Sequence, residues 1–503
     1  MRKRSRIWKW LAIVGLIAGL IGVGVATANY WLSPILSERL SAVARARFGS
    51  ELHFQQLTVS LFPHVAVNAR GVVFRQHART DVPPLFAIDR VSVEAGFRGL
   101  IGPYRRARRM VFEGLRITIP PKDPNTPHAS LPKPHTGDRF IADEMIADNT
   151  LLTILPSKPG KEPLVFDIYK LSLRPGGQAA MHYKAQLRNA RPPGLIDAEG
   201  DFGPWYNEDP GHTKLNGRYT FSHADLAVFK GISGFLSSTG QFDGILATIH
   251  ASGTTDTPDF ALRSGGHPVH LTTQFDAVIN GTDGETLLQP VTARFRRTAI
   301  VCRGGIVQEH GDKQKTVDLQ GTVSDGRLED ILWLATKSKL PMTGALSFDS
   351  KIVIPPGDVD VEKKLQLAGR ATVHDMRFTS ANIQTKLNEL SDRARGEPAA
   401  AHDQNVASDL KARFTMNNGV IDFPGLSFTV PGASITLSGH YSMLDESLDF
   451  AGHARTQATL SQMTTGLKHI LLKAADPFFE KDGAGAVLPV HITGTREHPS
   501  FGL

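Results

Sequence analysis

The 503-residue chain contains a single cysteine, Cys302. One thiol cannot form an intrachain disulfide, so a disulfide-held scaffold is excluded, while an oxidising compartment is neither required nor excluded. Cys302 stands between Val301 and Arg303 in a strand-like run. In such a run a free cysteine is typical of a small packed side chain rather than a reactive thiol.

The sequence also lacks the short motifs of common enzyme classes. It contains no G-x-S-x-G, G-x-x-x-x-G-K-S/T, H-E-x-x-H or C-x-x-C. His267 and His270 have the spacing of a ligand pair, but they lie at a Gly- and Pro-containing turn without a third ligand nearby in sequence. This favours a solvated pair over a metal site. We therefore predict a protein that is not an enzyme and has no catalytic residue, metal site or cofactor.

The excess of positive over negative charge lies at one end of the chain. Residues 1–120 hold 18 Lys or Arg against 6 Asp or Glu, and the remainder holds 38 against 43. An anionic lipid surface would attract the basic end, and a solvated strand edge protected by charge is the alternative. No aromatic interleaving or reader motif accompanies the cluster, so we predict no nucleic-acid partner. The densest basic cluster outside the N-terminal tail comprises Arg105, Arg106, Arg108 and Arg109.

One long apolar run opens the chain. Residues 10–36 carry no charge, five basic residues precede Trp10, and aromatic residues flank both ends of the run. This is typical of a single-pass transmembrane anchor whose basic side stays in the cytoplasm. A signal peptide cleaved after Ala26-Thr27-Ala28 is the alternative.

A period of two dominates the rest of the sequence. Apolar and polar residues alternate in run after run, which predicts half-buried antiparallel strands. Helical spacing is limited to residues 33–50, 324–341, 379–396 and 458–477. Loops are predicted where Pro and polar residues accumulate, and Asn280-Gly281 is typical of a hairpin turn.

A polar phrase occurs twice. Gly253-Thr254 with Pro258 and Phe260 in the first copy correspond to Gly494-Thr495 with Pro499 and Phe501 in the second. Proline removes a ladder donor, so each copy is predicted to end its sheet segment with the same turn. The module beginning at Lys214 is therefore predicted to recur from Thr436.

The chain resembles the AsmA family of bacterial envelope proteins, which is related to TamB and to the bridge-like lipid-transfer proteins. The resemblance rests on the apolar N-terminus followed by residues 46–74, and on residues 419–454 and 488–501. It covers most of the chain, with residues 120–210 matching least.

The resemblance implies a bacterial inner-membrane protein whose body lies in the periplasm and forms a long β-sheet rolled into an open groove. It implies a role in moving phospholipid between envelope membranes or in maintaining envelope lipid balance. Its expected partners are a phospholipid or another acyl-chain lipid, the inner membrane, and an outer-membrane or envelope partner at the C-terminal end. A non-enzymatic scaffold for outer-membrane protein assembly is the alternative function.

We therefore predict a mainly β fold, in which a transmembrane helix precedes an elongated, curved antiparallel β-sheet groove with a few short amphipathic helices. The apolar face of such a sheet must be buried against another sheet, helices or a ligand. Helices are scarce, so either stacked sheets or a ligand-filled groove is expected. The predicted regions are an anchor (1–33), an N-terminal AsmA-like region (34–120), a Pro-rich loop (121–137), a middle groove region (138–395), a linker (396–408) and a C-terminal AsmA-like region (409–503). The candidate groove-lining residues, which ordinary core packing would also explain, are Leu57, Val59, Leu61, Val91, Val93, Phe428, Val430, Ile435 and Leu437.

Overall fold

The computed structural model describes most of the chain after the N-terminal segment. Within the described residues no helix is both long and apolar enough to cross a membrane. The predicted anchor lies almost entirely outside them, as do most of the Pro-rich loop and the linker. The described ranges are 33–38, 40–42, 51–60, 65–75, 81–95, 106–121, 141–156, 163–176, 180–190, 192–206, 209–263, 265–308, 315–337, 340–357, 359–397, 406–459, 461–463, 485–496 and 498–502.

The fold is mainly β, as the alternation predicts. Two compact units divide the chain. Unit 1 comprises residues 1–222, 239–251 and 279–284, and unit 2 comprises residues 223–238, 252–278 and 285–503. Strands β12, β14, β15 and β16 contain residues of both units.

The first eleven strands lie in unit 1. They are β1 (Glu51–His53), β2 (Gln56–Ser60), β3 (Val65–Arg75), β4 (Phe86–Ala95), β5 (Arg106–Glu113), β6 (Arg116–Ile119), β7 (Ile141–Ala142), β8 (Met145–Ile154), β9 (Leu164–Pro175), β10 (Met181–Ala190) and β11 (Pro193–Phe202). The strands shared between the units are β12 (Lys214–Asp225), β14 (Phe235–Ile245), β15 (Thr248–Leu262) and β16 (Val269–Ile279).

Unit 2 contains the remaining strands. They are β13 (Ile232–Ser233), β17 (Thr286–Phe295), β18 (Thr298–Val307), β19 (Thr316–Arg327), β20 (Met342–Ile354), β21 (Gln366–Phe378), β22 (Ser408–Asn417), β23 (Val420–Val430), β24 (Ala433–Ser442), β25 (Ser447–Thr456), β26 (Ala486–Thr495) and β27 (Pro499–Gly502). Each strand from β17 to β26 pairs antiparallel with the next.

Unit 1 departs from the predicted antiparallel order at one place. Strand β5 pairs in parallel with β7 and β8, and β6 pairs in parallel with β8. Parallel neighbours need a long connection, and the chain between Ile119 and Ile141 supplies one. From β8 to β12 the pairing is antiparallel throughout.

Helices are few and short. Residues 33–38 and 40–42 are helical (α1), in agreement with the amphipathic pattern at that position. The predicted helices at 324–341 and 379–396 appear as α2 (Leu328–Ala335) and α4 (Ala381–Arg395). A single turn, α3 (Val361–Lys364), and two 3₁₀ turns, Pro210–His212 and Leu226–Val228, complete the described helices. Most of the predicted helix at 458–477 lies outside the described residues.

The two copies of the polar phrase fold differently, so the prediction of a shared closing turn is wrong. Pro258 lies inside β15, which runs without interruption from Thr248 to Leu262. In the second copy β26 ends at Thr495, and Pro499 begins β27. The partner strands account for the difference: the far end of β15 pairs with β13, whereas β27 turns back onto β26.

Candidate functional site

One face of the unit 2 sheet is apolar across ten strands. Directly paired residues form a row from β17 to β26 that contains no charged side chain. A second uncharged row begins at Val323 and ends at Val490, and a row that contains Ser350 lies between the two. The members of the first row are Leu288, Gly304, Leu319, Ile352, Leu367, Met416, Ile421, Tyr441, Leu448 and Gly494.

The C-terminal candidate residues lie on this apolar face. Phe428 pairs with Ile435, and the row continues to Ala454 and Leu488. Leu437 pairs with Leu426 in the adjacent row, and Val430 pairs with Ala433 at the strand ends. The structure therefore brings all four candidates of this region together, because each strand alternates its side chains between the two faces.

The opposite face is polar. Lys351 forms a 3.1 Å ion pair with Asp318, and Gln320 donates a 3.0 Å hydrogen bond to Asp349. Other residues at these intervening positions are Arg303, Arg370, Lys411, Arg413, Asp422, Thr436, His440, Asp449, His453 and His491. The sheet thus has one face suited to water and one face that water solvates poorly.

Many large side chains on the apolar face are only half buried. Of the first row, Met416 is buried, whereas Leu319, Ile352, Ile421 and Leu448 keep partial exposure. Phe423 and Phe450 lie on the two strands that flank Gly439, and their ring centroids are 5.7 Å apart. The two rings fill part of the space above this glycine. Such a face remains available for further apolar contact.

Two helices cover one end of the apolar face. Leu328 and Ile331 of α2 pack on a cluster formed by Leu346, Val373 and Met376. Leu387 and Ala394 of α4 pack in a second cluster with Val430 and Ala433. Both clusters lie at the same ends of their strands, and the described helices make no such cluster at the opposite ends.

Two buried carboxylates hold the start of α2. Asp330 accepts hydrogen bonds from Arg296, the backbone N–H of Arg297, and Thr298. Glu329 accepts from Arg297 at 2.6 Å and from Arg327 at 2.9 Å. Burial raises the pKa of the Glu329 carboxyl, but its hydrogen bonds and the Arg327 charge outweigh that effect and lower the pKa overall.

Polar contacts, rather than a broad apolar surface, fix α4. Gln384 accepts from the backbone N–H of Phe378 and donates to Asn388 and to the carbonyl of Val406. Ser391 donates a 2.8 Å hydrogen bond to the carbonyl of Pro431. The helix is therefore fastened to the ends of three neighbouring strands.

Unit 1 has equivalent apolar rows. They include four of the N-terminal candidates, Leu57, Val59, Val91 and Val93; Leu61 lies outside the described residues. One row contains Leu57, Ala69, Val91, Phe112, Ala147, Leu171, Ala185, Ala198 and Tyr219. The adjacent row contains Val59, Val67, Val93, Met110, Met145, Leu173, Tyr183, Gly200 and Gly217.

Tyr183 carries a polar hydroxyl group within the second of these rows. Its hydroxyl donates to the carbonyl of Asn216 at 3.3 Å, and a Cβ at Gly217 would stand 2.5 Å from that hydroxyl. Burial, with a contribution from the charge of Asp201, raises the pKa of Tyr183 to about 12. The side chain is therefore a neutral donor at physiological pH.

The basic cluster is partly neutralised. Arg106 begins β5, Arg108 lies at a bulge in that strand, and Arg105 lies outside the described residues. Arg109 pairs with Glu94 across the ladder, and its Nε lies 3.8 Å from Glu144. Acidic groups therefore neutralise part of the predicted positive charge, at Arg109.

The two histidines predicted to be a solvated pair occupy separate environments. The ring of His267 stacks on Trp333 at 3.9 Å between centroids, so the prediction is wrong for this residue. His270 is exposed and pairs with Asp256. In the described part of the chain no group of three His, Cys, Asp or Glu residues is arranged to hold a metal ion.

Sequence reasoning missed the residues that position the helices. Glu329 and Asp330 stand in the first turn of α2, where acidic residues are common because of the helix dipole. That signal could have marked the two residues as stabilising the start of the helix. It could not have identified their partners Arg296 and Arg297, which lie more than 30 residues earlier in the chain.

No family model, curated protein or solved structure matches this chain.

Proposed function

We propose that the apolar faces of the two units are surfaces that bind the acyl chains of phospholipids. The rows of uncharged, half-buried side chains that cross each unit support this function most directly. In this proposal each face lines a groove, residues 1–33 anchor the protein in the bacterial inner membrane, and the body in the periplasm passes lipid onward. The resemblance to the AsmA family supports the same function.

The hydrophobic effect is large enough to favour such binding. Each methylene removed from water contributes about 0.8 kcal/mol, so a chain of about 16 carbons gains roughly 13 kcal/mol before ordering costs. The polar face cannot offer this gain, because its charged groups prefer water. Lipid should therefore select one face of the sheet.

The dimensions of the face also suit acyl chains. Ten strands at a spacing of about 4.8 Å extend about 43 Å across unit 2. A bilayer core is about 30 Å thick, so one acyl chain occupies about 15 Å. A face of this width accommodates more than one chain position, and the similar chemistry of successive rows lets a chain move between positions.

A photocrosslinking experiment tests the proposal at two adjacent residues. Phe450 lies on the apolar face and Ala451 lies exposed on the polar face of the same strand. Each is replaced in the full chain by p-benzoyl-phenylalanine. The protein is illuminated with vesicles of phosphatidylethanolamine and phosphatidylglycerol, and adducts are identified by mass spectrometry.

We expect lipid adducts at position 450 and few at position 451. The pair Phe112 and Val111 gives the same comparison in unit 1, since they are consecutive residues of β5. Equal labelling of both positions, or no lipid adduct at either inner position, would contradict the proposal. Protein adducts in place of lipid adducts at position 450 would favour the scaffold alternative.

A further inference from the structure

A single arginine joins two parts of unit 2 that are far apart in sequence. Nη1 of Arg496 donates a 2.8 Å hydrogen bond to Oγ1 of Thr336, 160 residues earlier. Nη2 of Arg496 forms a 2.8 Å ion pair with Glu446, and the Arg496 backbone N–H donates to the Glu446 carbonyl. Thr336 directly follows α2, and Arg496 directly follows β26.

These bonds close a ring of elements. The eight strands from β19 to β26 each pair with the next strand in the chain. Helix α2 follows directly after the end of β19. The bond between Thr336 and Arg496 links the end of α2 to the end of β26. Because Leu328 and Ile331 pack on the apolar face, α2 lies on that side of the sheet.

The ring requires this part of the sheet to curl. If it were flat, β19 and β26 would lie about 34 Å apart, from seven spacings of about 4.8 Å. Helix α2 has 8 residues and is about 12 Å long, and one arginine side chain does not bridge the difference. The sheet therefore curves toward α2, and the apolar face forms the inside of the curve.

The contact lies beside the apolar rows. Tyr441 is a member of the first row. Burial raises the pKa of its hydroxyl, the charge of Arg496 acts to lower it, and the charge of Glu446 acts to raise it. The side chains of Arg496 and Glu446 are 34% and 41% exposed, so the ion pair is open to water and weakened by salt. By contrast, Asp330 holds the other end of α2 and is fully buried.

We propose that Thr336, Glu446 and Arg496 form a releasable latch that controls the entry and exit of acyl chains at the enclosed apolar face. This inference rests on the proposed lipid function. The buried carboxylates hold the first turn of α2, and the backbone N–H of His267 donates a 2.9 Å hydrogen bond to the carbonyl of Trp333 in the last turn. Release of the latch therefore lets the end of β26 move away from α2. The partner is the acyl chain of a membrane lipid, because the enclosed surface carries no charge.

Reversible crosslinking tests the latch. Thr336→Cys and Arg496→Cys are combined in a Cys302→Ala background and joined by a bis-methanethiosulfonate linker, which a reductant removes. A linker is needed because a contact through a whole arginine side chain separates the backbones too far for a direct disulfide. The matched control joins Ser438→Cys to His491→Cys, which lie on the polar face two strands apart.

The readout is the rate of photocapture of palmitic acid by p-benzoyl-phenylalanine at position 428, inside the ring. Position 112 in unit 1 serves as an internal control. We expect the linked latch to slow capture at position 428 about tenfold while position 112 is unchanged, as for a closed lid. Reduction should restore the rate, and the polar-face link should leave it unchanged.

An open latch gives the converse test. Glu446→Gln removes the charge of the ion pair but keeps the shape of the side chain, and it should speed capture roughly two- to fivefold. Unchanged capture in the linked variant, with crosslinking verified by mass, would overturn the latch while the lipid function stands. Absence of capture at both positions in every variant, the unlinked chain included, would instead overturn the lipid function and this inference with it.

Discussion

Nε of Arg296 donates a 2.9 Å hydrogen bond to the carboxylate of Asp330, a side chain with no exposed surface. Arg296 also lies 4.7 Å above the ring of Trp333. The turn between β17 and β18 is thereby tied to both the start and the middle of α2. This single basic residue connects the strand ladder to the helix that lies on the apolar face.

Removing the buried carboxylate should destabilise unit 2. We expect Asp330→Ala to lower the free energy of unfolding by about 3 to 5 kcal/mol, because Arg296 and the N–H of Arg297 lose a buried acceptor. Denaturant unfolding monitored by tryptophan fluorescence measures the change. Asp360→Ala, which removes an exposed partner of Lys363, should change the stability by less than about 1 kcal/mol. Equal effects of the two substitutions would contradict this account.

A charge placed on the apolar face should be far more harmful than one on the polar face. Leu437 is buried, whereas its neighbour Thr436 is exposed on the opposite side. We expect Leu437→Lys to destabilise the protein by several kcal/mol and to reduce lipid capture, because a lone ammonium is poorly solvated there. Thr436→Lys should leave both unfolding midpoint and capture nearly unchanged. The two variants are compared by thermal unfolding and by photocrosslinking at position 450.

The backbone approach at Gly439 predicts a requirement for glycine. A Cβ at this position would stand 2.1 Å from the carbonyl oxygen of Asp449, whereas a Cβ at Gly425 would meet no atom within 4 Å. We expect Gly439→Ala to lower the free energy of unfolding by about 1 to 3 kcal/mol through overpacking. Gly425→Ala is the matched control and should have a smaller effect. Similar midpoints for the two variants in denaturant would show that β24 relaxes without penalty.

The raised pKa of Tyr183 predicts a loss of stability at high pH. The pKa rises from 10.0 to about 12 in the folded chain, so the folded state holds its proton more tightly than the unfolded state. The stabilising contribution is complete below pH 10 and is lost as the pH rises toward 12. Unfolding midpoints measured across this interval should fall more steeply for the parent than for Tyr183→Phe. Tyr169→Phe, at an exposed position, should retain the parent's slope.

Local pattern was sufficient for much of the secondary structure. Alternation placed Phe428 with Val430, and Ile435 with Leu437, because every second side chain of a strand shares a face. The spacing of Leu328, Ile331 and Leu332 similarly predicted α2. The prediction was wrong at Pro258, which lies within a strand. Proline is found both at the ends of strands and within edge strands, so its presence alone does not locate the end of a strand.

The sequence by itself determined the mainly β character, the separation of apolar and polar faces, and the places of α2 and α4, because these depend on residues close together in the chain. Only the tertiary structure decided the parallel pairing of β5 with β8 and the contact between Thr336 and Arg496. Such pairings depend on which distant strands meet and how far the sheet curls, and local periodicity carries no information about either. The position of the apolar face follows from the pattern, whereas the closure of that face depends on the fold.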